Sequence, residues 1–309
     1  MSIARSILLW GSRNAWLERQ ARQRTFARRA VRRFMPGEEL DAALKAAAGF
    51  ADRGIGTVLT QLGENLTAAT DADAVRDHYL GVLTLLAQRD LPALVSVKPT
   101  QLGLDFDAGT CLARIDALAV QAAQRGDRIW VDMEDSSYVD PTLDLFRQLR
   151  RRHENVGVCL QAYLRRTTGD LEGLLPLKPA IRLVKGAYAE PPERAFPAKR
   201  DTDASYLALG ATLVEHAARH GGAPPVFGTH DVRLIQSLQH TAAAAGLDRK
   251  ACEVHMLYGI RPAEQERLKR QGHAVRVLIS YGSAWFRWYM RRLAERPANV
   301  WFVIRSVVG

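Results

Sequence analysis

The chain has 309 residues, enough to bury a full core as one large barrel or as two smaller domains. A hydrophobic content of 47% and a mean hydropathy of -0.16 fit an ordinary globular protein, and no segment carries the run of about 20 apolar residues that spans a bilayer. The net charge of +10 is uneven: residues 1–33 hold nine arginines against Glu18 alone, so the remainder carries only +2 and lacks the basic groove of a nucleic-acid binder.

Residues 1–36 read as a basic helical arm. Its apolar residues, among them Ile7, Leu8, Leu9, Trp10 and Trp16, form too short a run for a secretory signal, and no small-residue cleavage site follows. Such an arm either packs on the main domain or lies, through residues 1–33, as a basic amphipathic helix on an anionic membrane surface. Cys111, Cys159 and Cys252 are odd in number and far apart, which suits a reducing compartment without a disulfide framework. The expected location is cytoplasmic, with peripheral contact at the inner face of the cell membrane as the arm's second option.

A helical pattern covers 40–53, and from there strand-like and helical patterns alternate. Short apolar runs at 56–62, 93–97, 129–132, 156–164, 181–185, 226–229, 252–257 and 275–280 predict strands. Helical periodicity falls at 72–88, 108–124, 141–153, 204–220, 232–245 and 262–271, and a last helix over 285–295 meets no Gly or Pro until Pro297. Many of the strands are continuous apolar runs, as expected when both faces are buried, and each is followed by a helix. The prediction is an α/β fold: an eight-stranded parallel (βα)8 barrel over 37–309, with the last helix over its mouth. A doubly wound open sheet fits less well, because Gly54-Ile55-Gly56 precedes a strand instead of following one and neither a P-loop nor an HExxH motif is present.

A parallel barrel builds its site at the C-terminal ends of its strands. There stand Lys98, Asp132 with Met133 and Glu134, Gln161, Arg182 with Lys185, Thr229 with His230, and His255. So many polar groups at one mouth are costly unless they pair or bind something, and their net positive charge suits phosphates or a carboxylate. Arg291 and Arg292 add to that charge, with Glu295 spaced to orient them. Duller readings stand beside each. Lys98 and Asp132 could form only an ion pair, Lys185 could be a Schiff-base lysine, and His230 could be a satisfied strand-end histidine. Trp285, Trp288 and Tyr289 read as barrel-covering aromatics, and His216 with His220 as a structural pair without a third metal ligand.

Taken in order, Ser-Val-Lys-Pro-Thr-Gln-Leu-Gly (96–103), Val-Asp-Met-Glu-Asp-Ser (131–136), Arg-Leu-Val-Lys-Gly-Ala-Tyr (182–188), Gly-Thr-His-Asp (228–231), Met-Leu-Tyr-Gly-Ile (256–260) and Tyr-Met-Arg-Arg-Leu-Ala-Glu (289–295) resemble the motifs of the proline dehydrogenase family. The resemblance runs from about residue 32 to 305 and is closest to the monofunctional bacterial form. It implies an FAD-dependent barrel that oxidises L-proline to 1-pyrroline-5-carboxylate by hydride transfer to flavin N5, with reoxidation by quinone or another acceptor. It further implies that Lys98, Arg291 and Arg292 bind the substrate carboxylate, with Glu295 bracing the arginines. Asp132 and Arg182 become the catalytic centre, and Met133, Gln161, Arg182, Lys185, Gly186, Ala187, Thr229 and His230 the flavin contacts.

The chain departs from that pattern at the substrate ring. Counting back from Arg291, the family's strand-eight Tyr falls on Leu278, and the Tyr three residues before the Arg pair falls on Trp288. The Gln of strand seven is His255. These changes imply an altered ring-recognition wall, as in hydroxyproline dehydrogenase, and hence a substituted or different cyclic amino acid as an alternative substrate. A Schiff-base lyase and a non-catalytic barrel are the remaining alternatives.

Overall fold

The computed structural model describes residues 14, 16, 19, 20, 31–63, 66 and 68–295, without the side chains of residues 287, 291, 292, 294 and 295. Most of the expected arm and the side chains of Arg291, Arg292 and Glu295 therefore lie outside the described residues. No described helix is long and apolar enough to cross a membrane.

Eight parallel strands close a barrel: β1 (Gly56–Gln61), β2 (Ala93–Val97), β3 (Ile129–Val131), β4 (Val156–Gln161), β5 (Ala180–Val184), β6 (Val226–Gly228), β7 (Glu253–Leu257) and β8 (Ala274–Tyr281). Each pairs with its neighbour in sequence, and β1 closes on β8 from Gly56↔Arg276 to Gln61↔Tyr281. The described helices form the outer layer. They are α1 (Leu40–Ala51), α2 (Ala69–Gln88), α3 (Ala108–Ala123), α4 (Val139–Arg152), α5 (Thr167–Leu174), α6 (Lys199–His220), α7 (Val232–Ala244) and α8 (Pro262–Arg270). A further helix, α9 (Trp285–Glu295), follows β8.

Local chemistry sets these boundaries. Asp107 caps α3 by accepting from the Thr110 amide at 2.6 Å, and Pro262 opens α8 at a position where no intrahelical N–H is needed. Three arginines, Arg150, Arg151 and Arg152, end α4, where cations complement the helix dipole. Two expectations change. β4 stops at Gln161, short of 164, although Ala162 and Tyr163 still donate to the carbonyls of Val184 and Lys185 at 2.8 and 2.9 Å. α5, the helix expected after the fourth strand, has no bounds in the predicted set because it holds only eight residues, two of them Gly169 and Gly173, too few for a periodic signal.

β2 and β4 are buried at every position because one face meets helices and the other the barrel axis. Inside the barrel, Val58, Leu94, Trp130, Ala180 and Val226 form an apolar floor against which Leu278 packs. The Trp130 indole fits because its neighbour on β4 is Gly157; a Cβ there would approach the ring to 2.6 Å. A third cluster joins Val31, Phe34, Met35 and Leu62 to Trp285, Phe286, Trp288, Tyr289 and Leu293 of α9. Glu38 ties the same two segments, its carbonyl accepting from Gly282 at 2.8 Å and its carboxylate from the Trp285 indole at 3.1 Å. The described end of the arm, residues 31–35, is thus packed on the domain.

Gly259, after β7, has φ +72°, and a Cβ on it would lie 1.6 Å from the Arg33 carbonyl oxygen. Gly259→Ala therefore strains its own backbone and displaces the 31–38 segment. The expected loss in denaturant unfolding is about 2–4 kcal/mol; an unchanged midpoint contradicts the seating of Arg33.

Candidate active site at the barrel mouth

Side chains alternate along a strand, so β4 and β5 aim Cys159, Gln161 and Arg182 at the cavity, where they meet Asp132 just after β3. Cys159 and Arg182 are register partners in the β4–β5 pair. Arg182 is 2% exposed, and its guanidinium is held on three sides. Nη2 donates to Asp132 Oδ1 and, at 2.7 Å, to Ser96 Oγ; Nε donates to Cys159 Sγ at 2.9 Å. Cζ stands 5.0 Å over the Trp130 ring. Ser96 Oγ and Cys159 Sγ in turn donate to Asp132 Oδ1 at 2.9 and 3.4 Å, and Lys98 Nζ lies 3.9 Å from Asp132 Oδ2. Lys98 and Asp132 do pair, but Asp132's closer partner is Arg182.

Burial opposes the Arg182 charge, but Cys159 and the Asp132 carboxylate, both accepting from the guanidinium, outweigh it, so its pKa is raised. Burial also pushes the Cys159 thiol up to about 12, which leaves a neutral S–H able to donate and accept. Arg182 Nη1 has no hydrogen-bond partner among the described residues.

A cavity of about 920 Å³ opens beside this pair and runs to the loops after β5 and β6. Asp132, Met133, Gln161, Arg182 and Leu278 line it from the strand ends and the barrel interior. Lys185, Gly186, Ala187, Thr229 and His230 line it from the β5 and β6 loops. Gln161 is fixed by donating to the Met133 and Glu134 carbonyls at 3.3 and 3.1 Å, which leaves its Oε1 unpartnered. Gly186 has φ +107°, and a Cβ there would come within 2.1 Å of the Tyr163 ring, so only glycine fits this turn. His230 Nε2 accepts from the Leu257 amide at 3.2 Å, which puts the ring proton on Nδ1. Lys185 does not stand alone: its ammonium donates to Asp203 at 2.6 Å and Asp231 at 3.2 Å, and Lys199 bridges the same carboxylates.

Trp288 is not among the residues described as lining this cavity; it is 8% exposed and packs in the α9 cluster with Phe34 and Met35. His216 and His220 stack on each other along α6 with ring centroids 4.8 Å apart. Among the described residues no group of three or more His, Cys, Asp or Glu is arranged to hold a metal ion.

A family profile described as proline dehydrogenase matches residues 43–305. The chain belongs to the proline dehydrogenase family. Proline dehydrogenase 1 of Bacillus subtilis subsp. natto is 34% identical over 304 residues, which span 98% of this chain and 99% of that one. The proline dehydrogenase of Deinococcus radiodurans is 34% identical over 297 residues, 94% of each chain. Among solved structures, proline utilization A (PutA) from Bdellovibrio bacteriovorus superposes with a TM-score of 0.81 at 21% identity. That match covers 94% of this chain and 37% of the PutA chain, and it speaks for the fold alone.

Several residues of the barrel have contacts that their place in the sequence does not signal. Ser96 and Cys159 complete the Arg182 shell, and Asp203 and Asp231 neutralise Lys185. Cys159 sits two residues before Gln161 on the same strand face, the one sequence signal that could have found it. Glu253 is the other. Its carboxylate accepts from His255 Nε2 and lies 2.9 Å from Arg276 Nε, while the His255 ring meets Trp130 edge-on at 5.8 Å.

Burial pushes His255 down to about 4, against the pull of Glu253, so the imidazole is neutral near pH 7. Burial would raise Glu253, yet its pKa is lowered, first by His255, which donates to the carboxylate and is protonated at the acid pH where Glu253 titrates, and then by the charges of Arg276 and Arg128. The unfolded chain thus binds a proton on His255 that the fold rejects. The corresponding stability is present above pH 6.5 and fades as pH falls from 6.5 towards 4. The stability advantage of wild type over His255→Gln should shrink by about 1.4 kcal/mol per pH unit across that window. Urea titrations at pH 7, 6 and 5 check this, and a constant difference contradicts it.

Proposed function

We propose that this chain oxidises L-proline to 1-pyrroline-5-carboxylate in proline catabolism, with FAD as the bound acceptor and quinone or another oxidant restoring it. The observation that carries the reading is the buried Arg182–Asp132 pair with one guanidinium edge unpartnered, set in a cavity large enough for a dinucleotide. The residues fit the group. Gln161 Oε1 and Arg182 Nη1 offer an unmatched acceptor and donor beside Met133, suited to the edge of a flat heteroaromatic ring. Lys185, Gly186 and Ala187 with Thr229 and His230 offer N–H and O–H groups to the ribityl and diphosphate parts. Arg233 and Arg261, which also line the cavity, add positive charge there that the carboxylate-paired lysines do not.

When bound, the flavin supplies the acceptor for the hydride that leaves the carbon beside the substrate nitrogen. Lys98, Arg291 and Arg292 hold the substrate carboxylate, and the held carboxylate fixes which carbon faces the reactive ring. Asp132 anchors Arg182, and the apolar floor of Trp130 and Leu278 keeps water from the centre. The Schiff-base alternative loses support, because the Lys185 ammonium donates to two carboxylates and has no lone pair free for a carbonyl.

The protein as purified should be yellow, and anaerobic proline should bleach it. A colourless preparation that takes up no FAD overturns the reading. Arg182→Lys keeps the charge but loses the planar fork, and should cost roughly 10- to 100-fold in kcat/KM for proline.

Leu278 favours a second reading of the substrate, a cyclic amino acid bulkier than proline or one carrying a ring substituent, such as hydroxyproline. It lines the cavity where the family pattern has Tyr and continues the apolar floor instead of offering a hydroxyl. Comparing kcat/KM for proline and 4-hydroxyproline in wild type and Leu278→Tyr separates the two. The variant should shift the ratio towards proline by about tenfold, the scale of one packing contact; an unchanged ratio removes Leu278 from substrate choice.

A further inference from the structure

The guanidinium of Arg182 presents five N–H donors in one plane, and their partners are distributed in a particular way. Nη2 is taken by Asp132 and Ser96, Nε by Cys159, and Nη1 by nothing among the described residues. Two anchors on different edges fix a planar group; one anchor leaves it free to pivot about that contact. Asp132 and Ser96 share the Nη2 edge, so the second anchor is the sulfur of Cys159. That sulfur accepts from Nε at 2.9 Å and donates to Asp132 Oδ1 at 3.4 Å, closing a ring of contacts through both members of the ion pair. Both roles need a neutral thiol, and burial at 4% exposure keeps it one.

We propose that Cys159 is a positioning residue, whose Sγ fixes the plane of the Arg182 guanidinium so that Nη1 is the edge presented to the bound flavin and substrate. This rests on the reading of the mouth as the flavin and proline site, but the part about Arg182 can be measured without either ligand. Serine keeps a donor and an acceptor at this position; valine fills the volume and offers neither.

The test compares wild type, Cys159→Ser, Cys159→Val and Arg182→Lys, first as FAD-free protein. A slowly exchanging arginine Nε–H resonance is expected in wild type and Cys159→Ser, absent from Arg182→Lys, and lost or rapidly exchanging in Cys159→Val. Persistence of that resonance in Cys159→Val overturns the proposal whether or not the protein binds flavin. In the FAD-loaded enzymes, Cys159→Val should lower kcat about tenfold with proline KM changed less than about twofold, and move the flavin potential to more negative values. Cys159→Ser should stay within about threefold of wild type, and the thermal midpoints of the FAD-free proteins should agree closely. Equal kcat and equal potential in Cys159→Val and wild type also overturn it, as does a Cys159→Ser variant that falls as far as Cys159→Val. A wild type that neither binds FAD nor oxidises proline removes the proposed function alone, and the resonance then decides the role of Cys159.

Discussion

The Asp132–Arg182 pair constrains everything around it. Bringing a carboxylate and a guanidinium out of water costs several kcal/mol for each ion, and attraction between them offsets that only when the remaining donors and acceptors are also met. Here Ser96 and Lys98 from the end of β2 and Cys159 from β4 meet them, with Arg182 Nη1 alone of the guanidinium nitrogens left over among the described residues. A one-residue slip in β2, β4 or β5 would turn those side chains from the axis to the helix layer. Barrel register and site geometry are therefore one requirement. The strands that tolerate it are those whose outer face is continuous apolar surface, as β2 and β4 are.

Below the pair the barrel changes character. Trp130 offers its face to Arg182 and meets the edge of His255, so a single buried indole separates two ionic layers. The upper layer carries Arg182 against Asp132, and the lower carries Glu253 with Arg276 and a neutral His255 on the same carboxylate oxygen. Charges held in fixed positions by an apolar spacer act in a medium of low polarisability, where a donor such as Arg182 Nη1 interacts more strongly than it would in water. The other part of the mouth works differently. Lys185 and Lys199 share Asp203 and Asp231, a cluster of zero net charge that holds Asp203 and Asp231 below the usual carboxylate range by its ammonium groups, against the effect of burial. Such a cluster contributes geometry more than field.

How much of this was readable in the sequence follows from the reach of each signal. The strand runs were legible because burial on both faces writes short, largely apolar stretches such as Ile-Trp-Val in β3 and Val-Gly-Val-Cys-Leu in β4. α5 was not, since eight residues with two glycines make little more than two turns. Asp132 and Arg182 stood out as ionisable residues at strand ends, where they cost most. Cys159 did not, because a cysteine in Val-Gly-Val-Cys-Leu-Gln looks like any buried strand residue, and its partner lies 23 positions away. The partners of Lys185 are 18 and 46 positions away, so its sequence neighbourhood spoke of phosphate while its space neighbourhood is acidic. Helical spacing placed Trp288 on an aromatic stripe but could not choose between the cavity and the cluster around Phe34.

Leu278 and His255 gain meaning from their neighbourhood. Both depart from the family pattern, and they lie on adjacent strands, with Leu278 paired to Leu257 and His255 to Arg276. A tyrosine at 278 would bring a hydroxyl that needs a partner at the cavity wall. Leucine removes that need and extends the floor of Val58, Leu94, Trp130 and Val226 up to the cavity. A glutamine at 255 would bring an amide with more donors and acceptors than Glu253 alone can match, whereas a neutral imidazole gives its one proton to Glu253 and packs nearly perpendicular to the Trp130 ring. Leucine at 278 removes a polar atom from this wall, and histidine at 255 lowers the number of donors and acceptors to be met while its Nδ1 has no partner among the described residues. Both changes leave the charge-bearing groups untouched and make the wall next to them more apolar, so that under the proposed function discrimination at this wall rests on shape and attraction on the cations.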